Sequence, residues 1–405
     1  MAVGSGEFGT LHSVPGVRIG IASAGIKKPG RKDVVVFELA EGSTAAGVFT
    51  QNAFCAAPVT VAKNHIQAAP SRYLLVNTGN ANAGTGEQGL ANAHRCCAAL
   101  AELTSLKSEQ ILPFSTGVIG EPLPVEKIVA ALPDALSDMS EDNWAAAAIG
   151  IMTTDTRPKA CSRQLEWQGK TITITGISKG AGMIKPNMAT MLGYVACDAA
   201  IPRTLLQAMV TRSAEASFNR ITVDGDTSTN DACMLVASGA SGVALSDDTP
   251  ELNAALQAVF DEVFLVLAHA IVRDGEGATK FVAVEVGGAA SQSEALKVAY
   301  TVAESPLVKT ALFASDPNWG RILAAIGRAG VEKLDVSGVS VHLDEVLIAE
   351  NGGRARSYTE AAGAAVMKQD EITIRINLGR GEQRETVWTT DFSYDYVKIN
   401  AEYRS

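Results

Sequence analysis

The segment 179–193 contains the residue types that a self-cleaving chain with a threonine nucleophile requires. A threonine at a new chain N-terminus carries an α-amine with a pKa of about 8, and this amine is a base placed beside the threonine's own hydroxyl. Cleavage before such a threonine needs a small preceding residue and a strained backbone. Here Ala189 precedes Thr190, and Gly180, Gly182 and Pro186 permit or fix unusual backbone conformations. Composition alone does not distinguish this chemistry from a glycine-rich loop that leads into a strand.

Other nucleophilic and metal-binding arrangements lack the required spacing. The sequence has no G-x-S-x-G serine elbow, no H-E-x-x-H pair and no C-x-x-C pair among its 6 cysteines, which we expect to be packing or surface residues. The acidic run 224–231 departs from the calcium-loop template, because Ser228 and Thr229 take its fifth and sixth positions and Val236 its twelfth. We therefore predict no metal site.

A second glycine-rich segment, 77–86, has the composition of a nest of backbone N–H groups that approaches an anion. It matches neither the P-loop pattern nor G-x-G-x-x-G, so a nucleotide site is not indicated. A structural loop and a loop that borders an active site both remain open.

Overall composition limits the class of protein. The 405 residues are 47% hydrophobic and 19% charged, which excludes a disordered chain, and the length favours two or three domains. The net charge of −10 disfavours a nucleic-acid partner, since phosphate backbones are bound by excess Lys and Arg. The longest apolar run, 263–272, contains His269 and is shorter than the roughly 20 residues of a membrane helix. With no signal peptide visible, we expect a cytoplasmic protein without membrane contact.

The elements that must position these residues are mixed irregularly along the chain. Runs of β-branched and aromatic residues predict strands at 33–39, 43–50, 72–77, 171–177, 220–224, 281–286, 338–348, 371–378 and 385–389. Apolar residues at helical spacing predict helices at 89–103, 124–136, 142–151, 203–217, 251–271 and 291–305. We expect a loose arm over the first sixteen residues and a strand-like start to the C-terminal segment 397–405. Without regular βαβ order, the fold class is α+β or layered α/β.

Several motifs in a fixed order carry a resemblance to one family. They are GVFTQN (47–52), NTGNAN (77–82), STGVIG (115–120), MTTDT (152–156), KGAGMIKPNMATMLG (179–193), DGDTSTND (224–231), SDPNWGR (315–321) and NAEYRS (400–405). Together they resemble the ornithine acetyltransferases of arginine biosynthesis, the ArgJ family of glutamate N-acetyltransferases. The resemblance extends from about Gly16 to Ser405, and several matches in order are more specific than any single one.

The resemblance implies a fold, a cleavage point and a set of site residues. The fold is a mixed α/β, layered αββα sandwich. Self-cleavage between Ala189 and Thr190 gives an α chain of residues 1–189 and a β chain of residues 190–405 with Thr190 as nucleophile. The Thr116 hydroxyl and the Gly117 N–H correspond to the oxyanion hole, although this segment alone favours an ordinary strand-to-helix turn. The positions that match substrate-binding residues of the family are Thr153, Lys179, Thr190, Glu276, Asn400 and Ser405.

The charges of these positions suit the substrates that the family uses. Lys179 suits the carboxylate of an α-amino acid and Glu276 suits the side-chain amine of ornithine, although by itself the 273–277 segment is equally typical of a solvated charge cluster. The implied reaction acetylates Thr190 with N-acetylornithine and passes the acetyl group to glutamate, with no cofactor. Acetyl-CoA is a further donor if the enzyme is bifunctional, and the implied assembly is an α2β2 heterotetramer.

Two other functions remain open at this point. An aminopeptidase or amidase with an N-terminal nucleophile would use the same machinery and differ only in letting water reach the acyl-enzyme. A non-enzymatic ligand-binding relative would keep the fold without the chemistry. The presence of Ala189, Thr190, Thr116 and Gly117 together disfavours the second of these, because binding alone requires no nucleophile.

Overall fold

Residues 2–185 and 191–402 of the chain are described by a computed structural model. They form two units, each described by itself: a larger unit of Glu7–Asn219 and Asp226–Ile271, and a smaller unit of Met1–Gly6, Arg220–Gly225 and Val272–Ser405. This division does not follow the chains 1–189 and 190–405 expected from self-cleavage, and those two chains stay a prediction.

The larger unit contains the N-terminal elements. Its strands are β1 (Val17–Ala22), β2 (Val34–Leu39), β3 (Thr44–Phe49), β4 (Tyr73–Asn80), β5 (Ile111–Val118), β6 (Lys159–Trp167), β7 (Lys170–Lys179), β8 (Leu192–Cys197) and β9 (Ala232–Ala237). Its helices are α1 (Ala57–Ala68), α2 (Gly86–Thr104), α3 (Val125–Ser137), α4 (Trp144–Gly150), α5 (Arg203–Ala216) and α6 (Pro250–Arg273), whose last two residues belong to the smaller unit. Within the described residues, one sheet has the order β1-β2-β4-β5 and the other β3-β9-β8-β7-β6.

The two sheets of the larger unit face each other across an apolar layer. Tyr194 of the second sheet lies between Phe37 and Phe114 of the first, with ring centroids 5.0 and 5.4 Å apart. The outer face of the first sheet is covered by the apolar sides of α2 and α3. On the outer face of the second sheet lie α5 and α6, where Ser178 donates a hydrogen bond of 3.4 Å to the Leu267 carbonyl. The sequence of layers is helix, sheet, sheet, helix, which confirms the αββα sandwich.

Helix α6 is longer and more apolar than the 263–272 run suggested. It has 24 residues and a mean hydropathy of 1.8 over its most apolar window, so length and composition alone would allow it to cross a membrane. However, 50% of that window is buried, and Leu256, Phe260, Phe264 and Leu267 recur at helical spacing with no exposed surface. This pattern is typical of a helix that lies against a sheet in a protein core.

The smaller unit contains the C-terminal elements. Its strands are β10 (Phe281–Ala289), β11 (Ser340–Leu343), β12 (Val346–Glu350), β13 (Gly353–Arg354), β14 (Glu371–Asn377) and β15 (Gln383–Thr390). Its helices are α7 (Gln292–Ala303), α8 (Pro306–Phe313), α9 (Trp319–Gly327), α10 (Glu360–Met367) and α11 (Tyr394–Ala401). In the described part of this unit the sheet order is β13-β12-β11-β14-β10-β15, and β10 runs parallel to β14 but antiparallel to β15.

Two of the predicted strands differ from the structure. The predicted strand 220–224 is a 3-10 turn (Phe218–Arg220) followed by one bridge between Ile221 and Trp388, and the chain turns away at Gly225, whose φ is +83°. The predicted strand 338–348 is the hairpin of β11 and β12, because Asp344 turns the chain with a φ of +47°.

The C-terminal segment is a helix rather than a strand. The Ser393 side chain accepts a hydrogen bond from the Tyr396 N–H, and Asp395 lies in the first turn of α11, so capping and the helix dipole outweigh the β-branched residues. The N-terminal arm is anchored rather than loose: Val14 is fully buried, and the Pro15 carbonyl accepts a hydrogen bond of 2.6 Å from Ser238.

Candidate active site

Thr116 and Gly117 lie within strand β5 rather than in a strand-to-helix turn. The parallel pairing of β4 and β5 is irregular here, since Asn80 pairs with both Thr116 and Val118. Gly117 has a φ of +134°, and a Cβ at this position would lie 2.3 Å from the Gly79 carbonyl carbon. Only glycine fits this close approach of the two strands.

The hydroxyl of Thr116 has a charged partner. Lys179 is the last residue of β7, and its Nζ donates a hydrogen bond of 3.0 Å to the Thr116 Oγ1. Because a threonine hydroxyl has one proton and accepts here from an ammonium group, its own proton stays available to another acceptor. The structure therefore brings together two of the predicted site residues, and it leaves Thr116 able to donate.

Thr153 lies in the segment between α4 and β6 and is linked to the end of β7 by Asp155. The Thr153 N–H donates to one carboxylate oxygen of Asp155 at 2.9 Å, and the Gly180 N–H donates to the other at 2.7 Å. Since Gly180 directly follows Lys179, one carboxylate positions the backbone beside two predicted substrate-binding residues.

Two further polar residues of this region were missed by the sequence analysis. The Asn230 amide donates to the Ala81 and Ser115 carbonyls at 2.5 and 2.9 Å, so it joins the 224–231 motif to the loop after β4 and to the strand that carries Thr116. Burial raises the pKa of the Asp231 carboxyl well above its ordinary value, although a hydrogen bond to Ser228 and the charge of Lys179 oppose this. The high content of Asn and Asp in 224–231 was the sequence feature that could have indicated these two residues. The sequence analysis compared that feature with a calcium-binding loop instead.

Glu276 and Asn400 meet within the smaller unit. Glu276 is 7% exposed in the loop after α6, and one of its carboxylate oxygens accepts a hydrogen bond of 2.8 Å from the Asn400 amide of α11. Gly277 has a φ of +70°, and a Cβ here would lie 2.5 Å from the Tyr396 backbone nitrogen. The Ser393 hydroxyl also donates to the Gly277 carbonyl at 2.6 Å. The loop and α11 are thus held together, and Glu276 is not the solvated charge that its sequence context allowed.

The remaining predicted positions are not among the described residues. Ala189, Thr190 and Ser405 lie outside them. In residues 2–185 and 191–402, no group of three or more His, Cys, Asp or Glu side chains is arranged to hold a metal ion. All 6 cysteines are free thiols, and burial raises the pKa of Cys96 and of Cys197 to about 12, as expected for packing residues rather than nucleophiles.

The sequence matches known proteins along its full length. The profile of the ArgJ family matches residues 18–405. The arginine biosynthesis bifunctional proteins ArgJ of Pseudomonas fluorescens and Pseudomonas syringae pv. tomato are 66% and 63% identical to it over 413 aligned positions, covering 100% of both chains in each case. A crystal structure of the arginine biosynthesis bifunctional protein of Bacillus halodurans is 39% identical, with a TM-score of 0.48, and the match covers 52% of this chain and 99% of that one.

Proposed function

The chain belongs to the ArgJ family, and we propose on that premise that it is a bifunctional acetyltransferase of arginine biosynthesis. It transfers the acetyl group of N2-acetyl-L-ornithine to L-glutamate, and it also acetylates glutamate with acetyl-CoA. The observation that carries this function is the 66% identity, over the full length of both chains, to a protein named for the bifunctional activity. The N-terminal-nucleophile aminopeptidase is not favoured, because relatives this similar are named as biosynthetic enzymes.

The precursor cleaves itself between Ala189 and Thr190, and Thr190 then acts as the nucleophile. Its hydroxyl attacks the acetyl carbonyl carbon of N-acetylornithine, its own α-amine takes the hydroxyl proton, and that proton passes to the leaving amine of ornithine. Glutamate attacks the acetyl ester in the reverse sense and releases N-acetylglutamate. One amide is exchanged for another, so the transfer needs no cofactor, and acetyl-CoA enters only as an alternative acetyl donor.

The oxyanion of each tetrahedral intermediate is stabilised by the Thr116 hydroxyl and the Gly117 N–H. The hydrogen bond from Lys179 to the Thr116 oxygen supports this role, since it leaves the hydroxyl proton free to be donated. The steric need for glycine at position 117 supports it too, because a tightly fixed backbone keeps the N–H in place.

The substrate is held by Thr153, Lys179, Glu276, Asn400 and Ser405. Lys179 pairs with the α-carboxylate, and Glu276 pairs with the side-chain ammonium of ornithine. The hydrogen bond between Asn400 and Glu276 supports a shared role for these two residues. The α and β chains of one precursor assemble as an α2β2 heterotetramer in the cytoplasm.

Steady-state kinetics test the covalent intermediate. Because acetyl-Thr190 forms before glutamate attacks, double-reciprocal plots for N-acetylornithine at several glutamate concentrations are expected to be parallel. Assays with N-acetylornithine and acetyl-CoA side by side as donors test the bifunctional activity. Intersecting lines would indicate direct transfer in a ternary complex, and a wild-type protein that forms no N-acetylglutamate from either donor would contradict the proposed function.

Truncation of the C-terminus tests the role of the residues after α11. Terminal residues usually tolerate deletion. Here we expect deletion of residues 403–405, or Asn400→Ala, to raise the KM for N-acetylornithine about 10- to 150-fold. This is the loss of affinity expected when one hydrogen bond to a charged group is removed. Self-cleavage should still occur in both variants. Lys398→Ala, an exposed change on the same helix, is the matched control. An unchanged KM in the two variants would remove Asn400 and Ser405 from the site.

A further inference from the structure

The carboxylate of Asp155 accepts hydrogen bonds from three donors and is shielded from solvent. Besides the N–H groups of Thr153 and Gly180, its Oδ1 accepts from the Lys159 ammonium at 2.6 Å, and the side chains of Asp155 and Lys159 are 0% and 1% exposed. An ionised carboxylate is only an acceptor, so it satisfies all three donors at once. A neutral side chain of the same size does not.

The surroundings of Asp155 keep this carboxylate ionised. Burial would raise its pKa, but the charges of Lys159 and Lys179 and the hydrogen bonds from Lys159 and the Thr153 N–H hold its pKa well below the usual range. The charge is therefore present under all physiological conditions, and it is compensated inside the protein rather than by water.

The two backbone N–H groups that donate to the Asp155 carboxylate belong to separate segments of the chain. One hydrogen bond comes from Thr153. The other comes from Gly180, whose φ of +151° is rare for residues with a side chain and where a Cβ would lie 2.9 Å from the Ile184 Cδ1. Lys179 precedes Gly180 and reaches the Thr116 hydroxyl. Movement of the Gly180 N–H would move the stem of Lys179, and with it the donor that orients Thr116.

We propose that Asp155 is a positioning residue for acetyl transfer, which locks Thr153 and Lys179 in their working geometry. It acts through these residues and touches neither substrate nor the acetyl group. The inference rests on the proposed function, in which Thr153 and Lys179 bind substrate and Thr116 stabilises the oxyanion. Lys159 has a different role: it compensates the charge of Asp155 but contacts neither of the two backbone N–H groups.

The test compares Asp155→Asn/Lys159→Met with Lys159→Met alone. The double variant carries no unpaired buried cation. The Thr153 and Gly180 N–H groups donate to different oxygens of Asp155, and Asn replaces one of these acceptors with an NH₂ donor. We measure kcat with N-acetylornithine and glutamate, referred to the amount of self-cleaved protein, together with the thermal unfolding midpoint. Because misplacement of a catalytic group by about 1 Å costs roughly 100-fold, we expect a kcat about 100-fold below that of Lys159→Met at a similar or higher midpoint.

The outcomes separate this inference from the function on which it rests. A double variant with a kcat within about threefold of Lys159→Met overturns the positioning role, whereas an inactive wild-type protein would contradict the acetyltransferase function itself. If the double variant does not fold, Asp155→Glu serves instead, because it keeps the charge opposite Lys159 but displaces the carboxylate by one methylene. A kcat equal to that of the wild type in Asp155→Glu would also overturn the proposal.

Discussion

Thr190→Ala is expected to leave one uncut chain of 42.2 kDa without acetyl-transfer activity. The wild-type protein should instead give two bands of about 20 and 22 kDa on a denaturing gel, in proportion to the 189 and 216 residues on either side of the cleavage point. In the proposed mechanism, the variant loses the hydroxyl that attacks both the Ala189 carbonyl and the acetyl donor. By analogy with the removal of other enzyme nucleophiles, kcat should fall by about 10⁴-fold or more.

Edman sequencing and Thr190→Ser complete this experiment. The N-terminus of the larger wild-type band should read Thr-Met-Leu-Gly-Tyr. Thr190→Ser retains a hydroxyl and should keep both processing and transfer at reduced rates, which distinguishes loss of the nucleophile from a disturbed fold. A wild-type protein that is fully active as a single uncut chain would refute the mechanism.

Thr116→Ala is expected to lower kcat by about 10²–10³-fold, which is the usual cost of one oxyanion-hole donor. The Gly117 N–H remains in place, so a residual rate should persist. The effect should appear in kcat for both N-acetylornithine and acetyl-CoA, because the proposed mechanism takes both donors through the same kind of tetrahedral intermediate at Thr190.

The conservative variant Thr116→Ser is the control for this change. It keeps a hydroxyl within reach of Lys179 and should retain most of kcat, while the loss of one methyl group affects packing only. If Thr116→Ala raises KM and leaves kcat unchanged, Thr116 binds the substrate in its ground state and the oxyanion role is wrong.

Elements with a strong local pattern were predictable from the sequence. The helix expected at 251–271 is α6 (Pro250–Arg273), and the strand expected at 281–286 is β10 (Phe281–Ala289). In both elements the apolar residues recur at the spacing that places them on one buried face. By contrast, β8 and β9 are buried at every residue and were missed, because a strand covered on both faces shows no alternation. The start of the C-terminal segment was misassigned as a strand. The segment forms a helix of eight residues, which is too short to show a clear helical period and is stabilised by the Ser393 cap.

The sequence by itself contains the residue types that the proposed chemistry requires: a small residue before a threonine, glycines that permit strained backbone, and motifs in the order of one family. Only the tertiary structure decided which polar groups meet. Lys179 reaches Thr116 across 63 residues of sequence, Gly180 reaches Asp155 across 25, and Asn230 reaches Ser115 across 115. Hydrogen bonds of this kind depend on angles and distances of a few tenths of an ångström between segments that the sheets bring together. Local periodicity contains no information about such contacts, so the hydrogen bonds of Asp155 and Asn230 with the predicted site segments are found only once the chain is folded.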